Sequence, residues 1–300
     1  SYRLDMAALM GADVRCNMNC PWCHQDYFPV SNMRSGACTL SYPEAVSLVE
    51  TAIGHHEFTE LSFHLSGRAE PLMLGVERLA IEIRALAAAQ PRFKRVMTTN
   101  GLLLDSTMAH ALVNAGLQRI NLSVNLDRKE PRTESALTAC DEAGLAVSFN
   151  TLIREPDSAQ IKALIERAVD HHASIKMFAL LSLATDCTAL IGRTASVLAA
   201  AIGASGEYDS CTHRLKWHVN GATDVCLKLP GTTAPAKAAA CRVCEKRNAC
   251  QEGCWQSIRI TPWYVKPCGV REDNVYYYAE HSPTALRLKL RVGGKLDSRS

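Results

Sequence analysis

Thirteen cysteines in a chain of 300 residues are the feature with most chemical content. Cys16, Cys20 and Cys23 stand at C-x3-C-x2-C spacing, directly after the short run Ala12-Asp13-Val14. One loop with that spacing can give three thiolates to the corners of a cubane iron–sulfur cluster and leave the fourth iron without a local ligand. An iron with an open position can bind and activate a second molecule. A zinc knuckle, or thiols that are simply buried, is the plainer reading of the same residues.

A second group runs from Cys211 to Cys268. Cys211, Gly221 and Cys226 form C-x9-G-x4-C, followed by Cys241-x2-Cys244-x5-Cys250-x3-Cys254 and, after a gap, Cys268. A four-cysteine zinc ribbon competes for Cys241 to Cys254. Cys38, Cys140 and Cys187 stand alone. A lone cysteine is usually a small buried hydrophobe. Cys38 and Cys187 fall near expected strand-end loops, where a thiol could give a hydrogen atom to a substrate radical. His24 and Asp26, just past the first cysteine loop, could act as a base or sit solvated at the surface.

The remaining composition describes an ordinary globular protein. Nearly half the residues are hydrophobic and the net charge is +3, which gives no argument for a nucleic-acid polymer or an acidic membrane as partner. No apolar run approaches the roughly 18 residues of a membrane span. The start, Ser1-Tyr2-Arg3-Leu4-Asp5, lacks the basic-then-apolar pattern of an export signal. The expectation is a cytoplasmic protein whose clustered cysteines bind metal rather than form disulfides.

The elements that must position these residues alternate. Strand-like runs are expected at Ala12–Arg15, Glu60–Leu65, Lys94–Thr99, Gln118–Val124, Ala146–Leu152 and Ile175–Leu181. Ala/Leu-rich helical segments lie between them, the first opened by Ser41-Tyr42-Pro43-Glu44, an N-cap, an early proline and a capping-box glutamate. Six βα units predict parallel strands with right-handed crossovers, an α/β partial (β/α)6 TIM-like barrel over residues 1–203. Ligands then gather at the C-terminal strand ends. After about Ala204, cysteine, glycine and tryptophan rise and helical periodicity fades. A small cysteine-rich domain is expected over 204–285, followed by a basic, Gly-containing tail over 286–300.

C-x3-C-x2-C after a first strand resembles the radical S-adenosylmethionine (SAM) superfamily. Further motifs resemble it at successive strand ends. Trp22 fills the aromatic slot before the last cysteine, whose backbone contacts adenine in that family. Ser66-Gly67-Arg68-Ala69-Glu70-Pro71 resembles the Gly-Gly-Glu-Pro motif that holds the methionyl amine, with Arg68-Ala69 in place of the usual small pair. Gly67 and Glu70 are its carriers here. Thr99 and Asn100 end strand three, Ser123 ends strand four like the ribose-contacting serine, and Asn150 ends strand five. Taken alone, Glu70 and Ser123 could be a loop carboxylate and a strand-end hydroxyl, and Thr99, Asn100 and Asn150 could be turn caps. The pattern is most similar to the branch containing the molybdopterin-precursor synthase.

The second cysteine group resembles the SPASM extension, which binds two auxiliary [4Fe–4S] clusters. That resemblance implies Cys241, Cys244, Cys250 and Cys268 on an outer cluster and Cys211, Cys226 and Cys254 on an inner one. Residues 203–210 supply no further thiol, so the inner cluster is expected to keep an open iron, with Cys187 the nearest spare. Together these likenesses imply three [4Fe–4S] clusters and SAM as cofactors and a flavodoxin or ferredoxin as reductant. The SAM cluster gives one electron, SAM splits to methionine and a 5′-deoxyadenosyl radical, and the radical takes hydrogen from a substrate. Only 15 residues precede Cys16, which favours a small sugar- or nucleoside-class intermediate over a leader-bearing peptide. Oxidation, epimerisation or carbon–sulfur bond formation would follow. Ribosomal-peptide maturation is the alternative, and an electron carrier would have no use for Glu70 or Ser123.

Overall fold

The structure is a computed structural model. It describes residues 2–5, 16–18, 20, 40–53, 61–66, 69–126, 132–179, 186–210, 212–233, 244–245, 248, 250, 258–267 and 274–292. Six strands, each followed by a helix, form its first two thirds: β1 (Tyr2–Asp5), α1 (Tyr42–Ile53), β2 (Ser62–Ser66), α2 (Val76–Ala89), β3 (Lys94–Thr99), α3 (Ser106–Asn114), β4 (Arg119–Ser123), α4 (Arg132–Ala143), β5 (Ala146–Ile153), α5 (Ser158–Asp170), β6 (Ser174–Ala179) and α6 (Thr188–Ile202). The strand beside β2 is Tyr2–Asp5. Ala12–Arg15, expected in that role, lies outside the described residues.

β1 to β6 pair in chain order, all parallel. Parallel neighbours need crossovers, and the amphipathic helices supply them. Alternate strand residues (Leu4, Phe63, Met97, Ile120, Phe149, Ile175) join one core with Val46, Leu79, Ile83, Leu112, Leu137 and Leu164 from the helices. The other set in the same strands is polar: His64, Thr98, Asn121, Ser148, Asn150 and Lys176. Period-2 alternation therefore gives the sheet one apolar, helix-covered face and one polar face. The helix starts are locally encoded. Ser41 N–H and Oγ donate to Glu44 Oε2 at 2.8 and 2.7 Å, and Asp105 and Asp157 cap α3 and α5.

The later strands extend the same sheet at both edges. β7 (Glu207–Asp209), β8 (Arg214–Val219) and β9 (Thr223–Lys228) form an antiparallel meander whose last strand lies parallel to β6. The β8–β9 turn holds Asn220 and Gly221 at φ 51° and 69°, with Ala222 N–H donating to Val219 O. Two successive positive φ values are the hairpin geometry that asparagine and glycine tolerate best. This gives the glycine of C-x9-G-x4-C a physical reason. At the opposite edge β10 (Ile258–Ile260) runs parallel to β1, and β11 (Tyr264–Lys266) and β12 (Tyr276–Tyr277) follow antiparallel.

Helix α7 (Pro283–Val292) occupies the start of the segment expected to be a tail. It packs on α1, and Leu286 and Leu290, one turn apart, are buried. Burying two leucines contributes about 3–6 kcal/mol against the open chain, which helps to offset the cost of ordering this ten-residue helix. No helix among the described residues is long and apolar enough to cross a membrane.

Candidate functional site

Glu70 lies just past β2 and is buried, 4% exposed. It caps the 3-10 turn Pro71–Leu74, with Pro71 fixing the first φ. Its Oε1 accepts from Leu72 N–H at 3.2 Å and from Thr99 Oγ1 at 2.5 Å, and its Oε2 accepts from Asn100 N–H at 2.8 Å. Burial pushes the Glu70 carboxyl up, and these three donors oppose that. Thr99 and Asn100 reach it because β3 ends there. Gly101 follows at φ 76°, and a Cβ there would meet Leu122 Cδ1 at 2.5 Å. Only glycine makes that turn so close to β4.

Asn100 ties this corner to the first cysteine loop. Its Oδ1 accepts from Leu102 N–H at 3.0 Å, which fixes the amide. Its Nδ2 donates to Asn17 Oδ1 at 2.8 Å and points at Cys16 Sγ, 3.7 Å away. Cys16 is partly buried, and burial raises its thiol pKa. Glu70 and Cys20 raise it further, while the Met18 backbone and Asn100 donors lower it. Two thiols near enough to disfavour each other's ionisation, beside an amide donor, fit a soft cationic centre that relieves the repulsion. Cys16 and Cys20 would thus hold an iron–sulfur cluster. Cys23, Trp22, Asp26, Cys38 and Gly67 lie outside the described residues.

Ser123 and Asn150 are register partners on the polar face. The same row continues through Lys176 on β6, Cys226 on β9 and Lys216 on β8. Asn150 Oδ1 is buried with no hydrogen-bond partner among the described residues. A buried acceptor left open at a strand end fits a bound molecule that donates to it. Burial raises the Cys226 thiol, opposed chiefly by Arg214 and Lys216.

Of the second cysteine group, Cys226, Cys244 and Cys250 are described, each partly buried. Cys211, Cys241, Cys254 and Cys268 lie outside the described residues. Among the described residues no three potential metal ligands converge. Two described residues near Cys211 in the sequence, Asp209 and Thr212, are hydrogen-bonded to each other. Asp209 accepts from Thr212 N–H at 3.2 Å and Thr212 Oγ1 at 2.7 Å, and pairs with Lys216 Nζ at 2.5 Å. Cys187 stands at the N-cap of α6 inside the apolar core, its thiol pKa raised by burial. Cys140 is fully buried on α4 and pushed up to about 12.

Sequence reasoning missed Asn17, the Asp209–Lys216 pair, and the cations Arg3, Arg119 and Lys176 on the polar face. The last three carried a signal, since each sits one residue from a buried apolar strand position: Leu4, Ile120, Ile175.

A parallel α/β sheet with helices on one face and polar residues gathered at its strand ends is the architecture of the barrel enzymes. The superfamily follows from comparison: the radical SAM superfamily model matches residues 14–182, and the chain belongs to that superfamily. It is 36% identical over 113 residues to a GTP 3′,8-cyclase of Mycolicibacterium smegmatis, covering 37% of this chain and 28% of that protein. A probable GTP 3′,8-cyclase of Methanothermobacter thermautotrophicus is 31% identical over 184 residues, 58% of this chain and 52% of its own length. A PqqA peptide cyclase of Granulibacter bethesdensis is 27% identical over 175 residues, 54% and 44% of the two chains. The matches therefore span about half or less of these relatives. In fold, the chain resembles Streptococcus suis SuiB bound to S-adenosylmethionine, with TM-score 0.59, 14% identity, and 99% and 66% of the chains covered. It also resembles anSMEcpe with bound AdoMet, with TM-score 0.58, 13% identity, and 100% and 84% covered.

Proposed function

We propose that this protein reductively cleaves SAM and uses the 5′-deoxyadenosyl radical to take hydrogen from a small sugar- or nucleoside-class intermediate. Oxidation, epimerisation or carbon–sulfur bond formation follows, with auxiliary-cluster participation. The observation that carries it is the linked corner Glu70–Asn100–Cys16: a buried carboxylate, oriented by Thr99 and Asn100, one side chain away from the cysteine loop. A carboxylate so placed suits an ammonium group, as in the methionyl end of SAM. Cys16, Cys20 and Cys23 would hold the SAM cluster, which when bound supplies the electron for cleavage. Ser123 and Asn150 would orient the ribose end. Cys241, Cys244, Cys250 and Cys268 would hold one auxiliary cluster, and Cys211, Cys226 and Cys254 the other. Asp26, Cys38 and Cys187 are the candidate proton or hydrogen-atom donors. A flavodoxin or ferredoxin would supply electrons in the cytoplasm.

The relatives named as GTP cyclases favour a small, nucleoside-containing substrate. The relative named as a peptide cyclase supports the second reading, a ribosomal-peptide maturase forming thioether or carbon–carbon crosslinks. The deciding assay is anaerobic: reconstituted protein, SAM and dithionite, with 5′-deoxyadenosine measured by chromatography. Formation above a control with Cys16, Cys20 and Cys23 changed to Ala is expected. No formation would sink both readings.

A further inference from the structure

A closed parallel barrel fills its interior with layers of branched apolar side chains. This sheet does not. On the face away from the helices, one register row across β3, β4, β5 and β6 reads Thr98, Asn121, Ser148 and Ser174. All four are polar and uncharged, and the two serines take up little volume. Their chain neighbours on the helix-covered face, Met97, Ile120, Phe149 and Ile175, are at most 1% exposed. Thr98 and Ser174 keep accessible surface although their strands lie inside the sheet. So do Ser123 and Asn150, two residues nearer the strand ends. The row therefore borders open space that continues to the C-terminal ends of the strands.

The row also has hydrogen bonds to give. Asn121 Nδ2 donates to Thr98 Oγ1 at 3.4 Å, which leaves the Asn121 carbonyl as an acceptor. The hydroxyls of Ser148 and Ser174 make no hydrogen bond among the described residues. Polar groups in so enclosed a place are satisfied by water or by a ligand. With strands about 4.8 Å apart, the four positions form a strip about 14 Å long, room for a ring and its substituents. The strip carries no charge of its own. Lys176 lies one layer nearer the strand ends, level with Asn150 and beside Cys226, and Arg119 lies one layer deeper, level with Val96. A carboxylate or phosphate on the strip would exchange its hydration for neutral dipoles, at a net cost. An apolar side chain would leave the hydroxyls and the amide unpaired, which a site built for hydrogen bonds rejects strongly.

We infer that Thr98, Asn121, Ser148 and Ser174 recognise an uncharged, hydroxyl-bearing ring of the substrate, a sugar ring, one layer below Ser123 and Asn150. Each hydroxyl of such a ring donates and accepts, as do those of Thr98, Ser148 and Ser174, and the Asn121 carbonyl accepts. The inference rests on the proposed small-substrate reading and narrows it. The sugar enters the sheet, and any charged or apolar part of the substrate stays nearer the strand ends.

The test is anaerobic calorimetric titration of the cluster-loaded, SAM-saturated protein with three neutral probes, ribose, glucose and uridine. Glucuronate and N-acetylleucinamide serve as the charged and the apolar comparison. At least one neutral probe should bind. Ser148→Ala and Ser174→Ala should each weaken that binding on the order of tenfold, and Ser47→Ala, exposed on α1, should leave it unchanged. Neither hydroxyl has a partner to lose, so the melting temperature without ligand should hold in both variants, which separates lost binding from lost folding. Binding that both variants leave unchanged would overturn the assignment of the row. Binding confined to glucuronate would overturn its preference for an uncharged ring, and binding confined to N-acetylleucinamide would overturn it in favour of a peptide. No neutral probe bound would also overturn it, and a fall in melting temperature would then assign the hydroxyls to the fold. SAM cleavage is scored separately. Cleavage without neutral-probe binding defeats this inference alone, and probe binding without cleavage defeats the radical reading alone.

Discussion

The amide nitrogen of Asn100 stands 3.7 Å from Cys16 Sγ, while its backbone N–H donates to Glu70 at 2.8 Å. One residue thus touches both halves of the proposed SAM site. Donors to a ligating sulfur stabilise the reduced, more negative cluster and raise its potential. Asn100→Ala should therefore lower the midpoint potential of the SAM cluster, read by a redox titration followed by electron paramagnetic resonance. The rate of 5′-deoxyadenosine formation should fall roughly 10- to 100-fold. An unchanged potential with a reduced rate would mean that the Asn100 side chain acts by holding Asn17 and Leu102 in place rather than by tuning the cluster.

Thr99 Oγ1 donates to the buried Glu70 carboxylate and accepts from Gly101 N–H at 3.0 Å. Thr99→Val keeps the shape and removes both roles. The carboxylate then loses one of its donors in a site where water cannot replace it. Stability should fall by about 1–3 kcal/mol, measured by chemical denaturation. Glu70→Gln should do less harm to folding, because burial already disfavours the charge, and more harm to SAM affinity. Equal losses of affinity in both variants would argue that Glu70 works by shape rather than charge.

Much of this was legible in the sequence because the relevant signals are local. The βα alternation, the Ser41–Glu44 capping box and the Gly-x-x-Glu-Pro run each announce themselves within a few residues. What was missed depends on closure of the sheet. Tyr2–Asp5 is too short to show a period, and it becomes a strand only by pairing with β2 and β10. β10 to β12 span two or three residues each and pair with partners distant in sequence. Lys176 and Arg119 drew no reading, because a cation one residue from an apolar strand position marks a polar face without saying what that face meets. Leu286 and Leu290 carried the one-turn spacing of a helix, but the basic residues around them resembled a tail.

Asp209 and Lys216 link the two segments that carry Cys211 and Cys226. Thr212, which Asp209 holds by two hydrogen bonds, directly follows Cys211, and Lys216 is the register partner of Cys226. Asp209→Ala releases both segments from one another. With three cubanes the intact protein should carry about twelve irons per chain, and this variant should lose on the order of four while keeping SAM cleavage. Charge should matter less than geometry, so Asp209→Asn, which can still accept from Thr212, should retain most of the iron. An intact protein with only about four irons would remove the auxiliary assignment altogether.

His64 gives the structure a pH signature. Burial, then Arg3, Lys176 and Arg119, hold its pKa well below the usual histidine value of 6.5. Its Nε2 lies 3.1 Å from Ser62 Oγ, a contact that the neutral ring satisfies. In the unfolded chain the ring protonates near its ordinary pKa, but in the folded chain it resists. The unfolded state therefore binds the extra proton below about pH 6.5, and stability falls as pH drops through that value. The stability is fully present above it. His64→Gln has no proton to gain, so the melting temperature of this variant should fall less steeply between pH 7 and pH 5 than that of the intact protein. The difference between the two curves is the measurement, because any cluster loss common to both cancels. Parallel curves would mean that the ring is charged in the folded protein and that an anion already sits beside it.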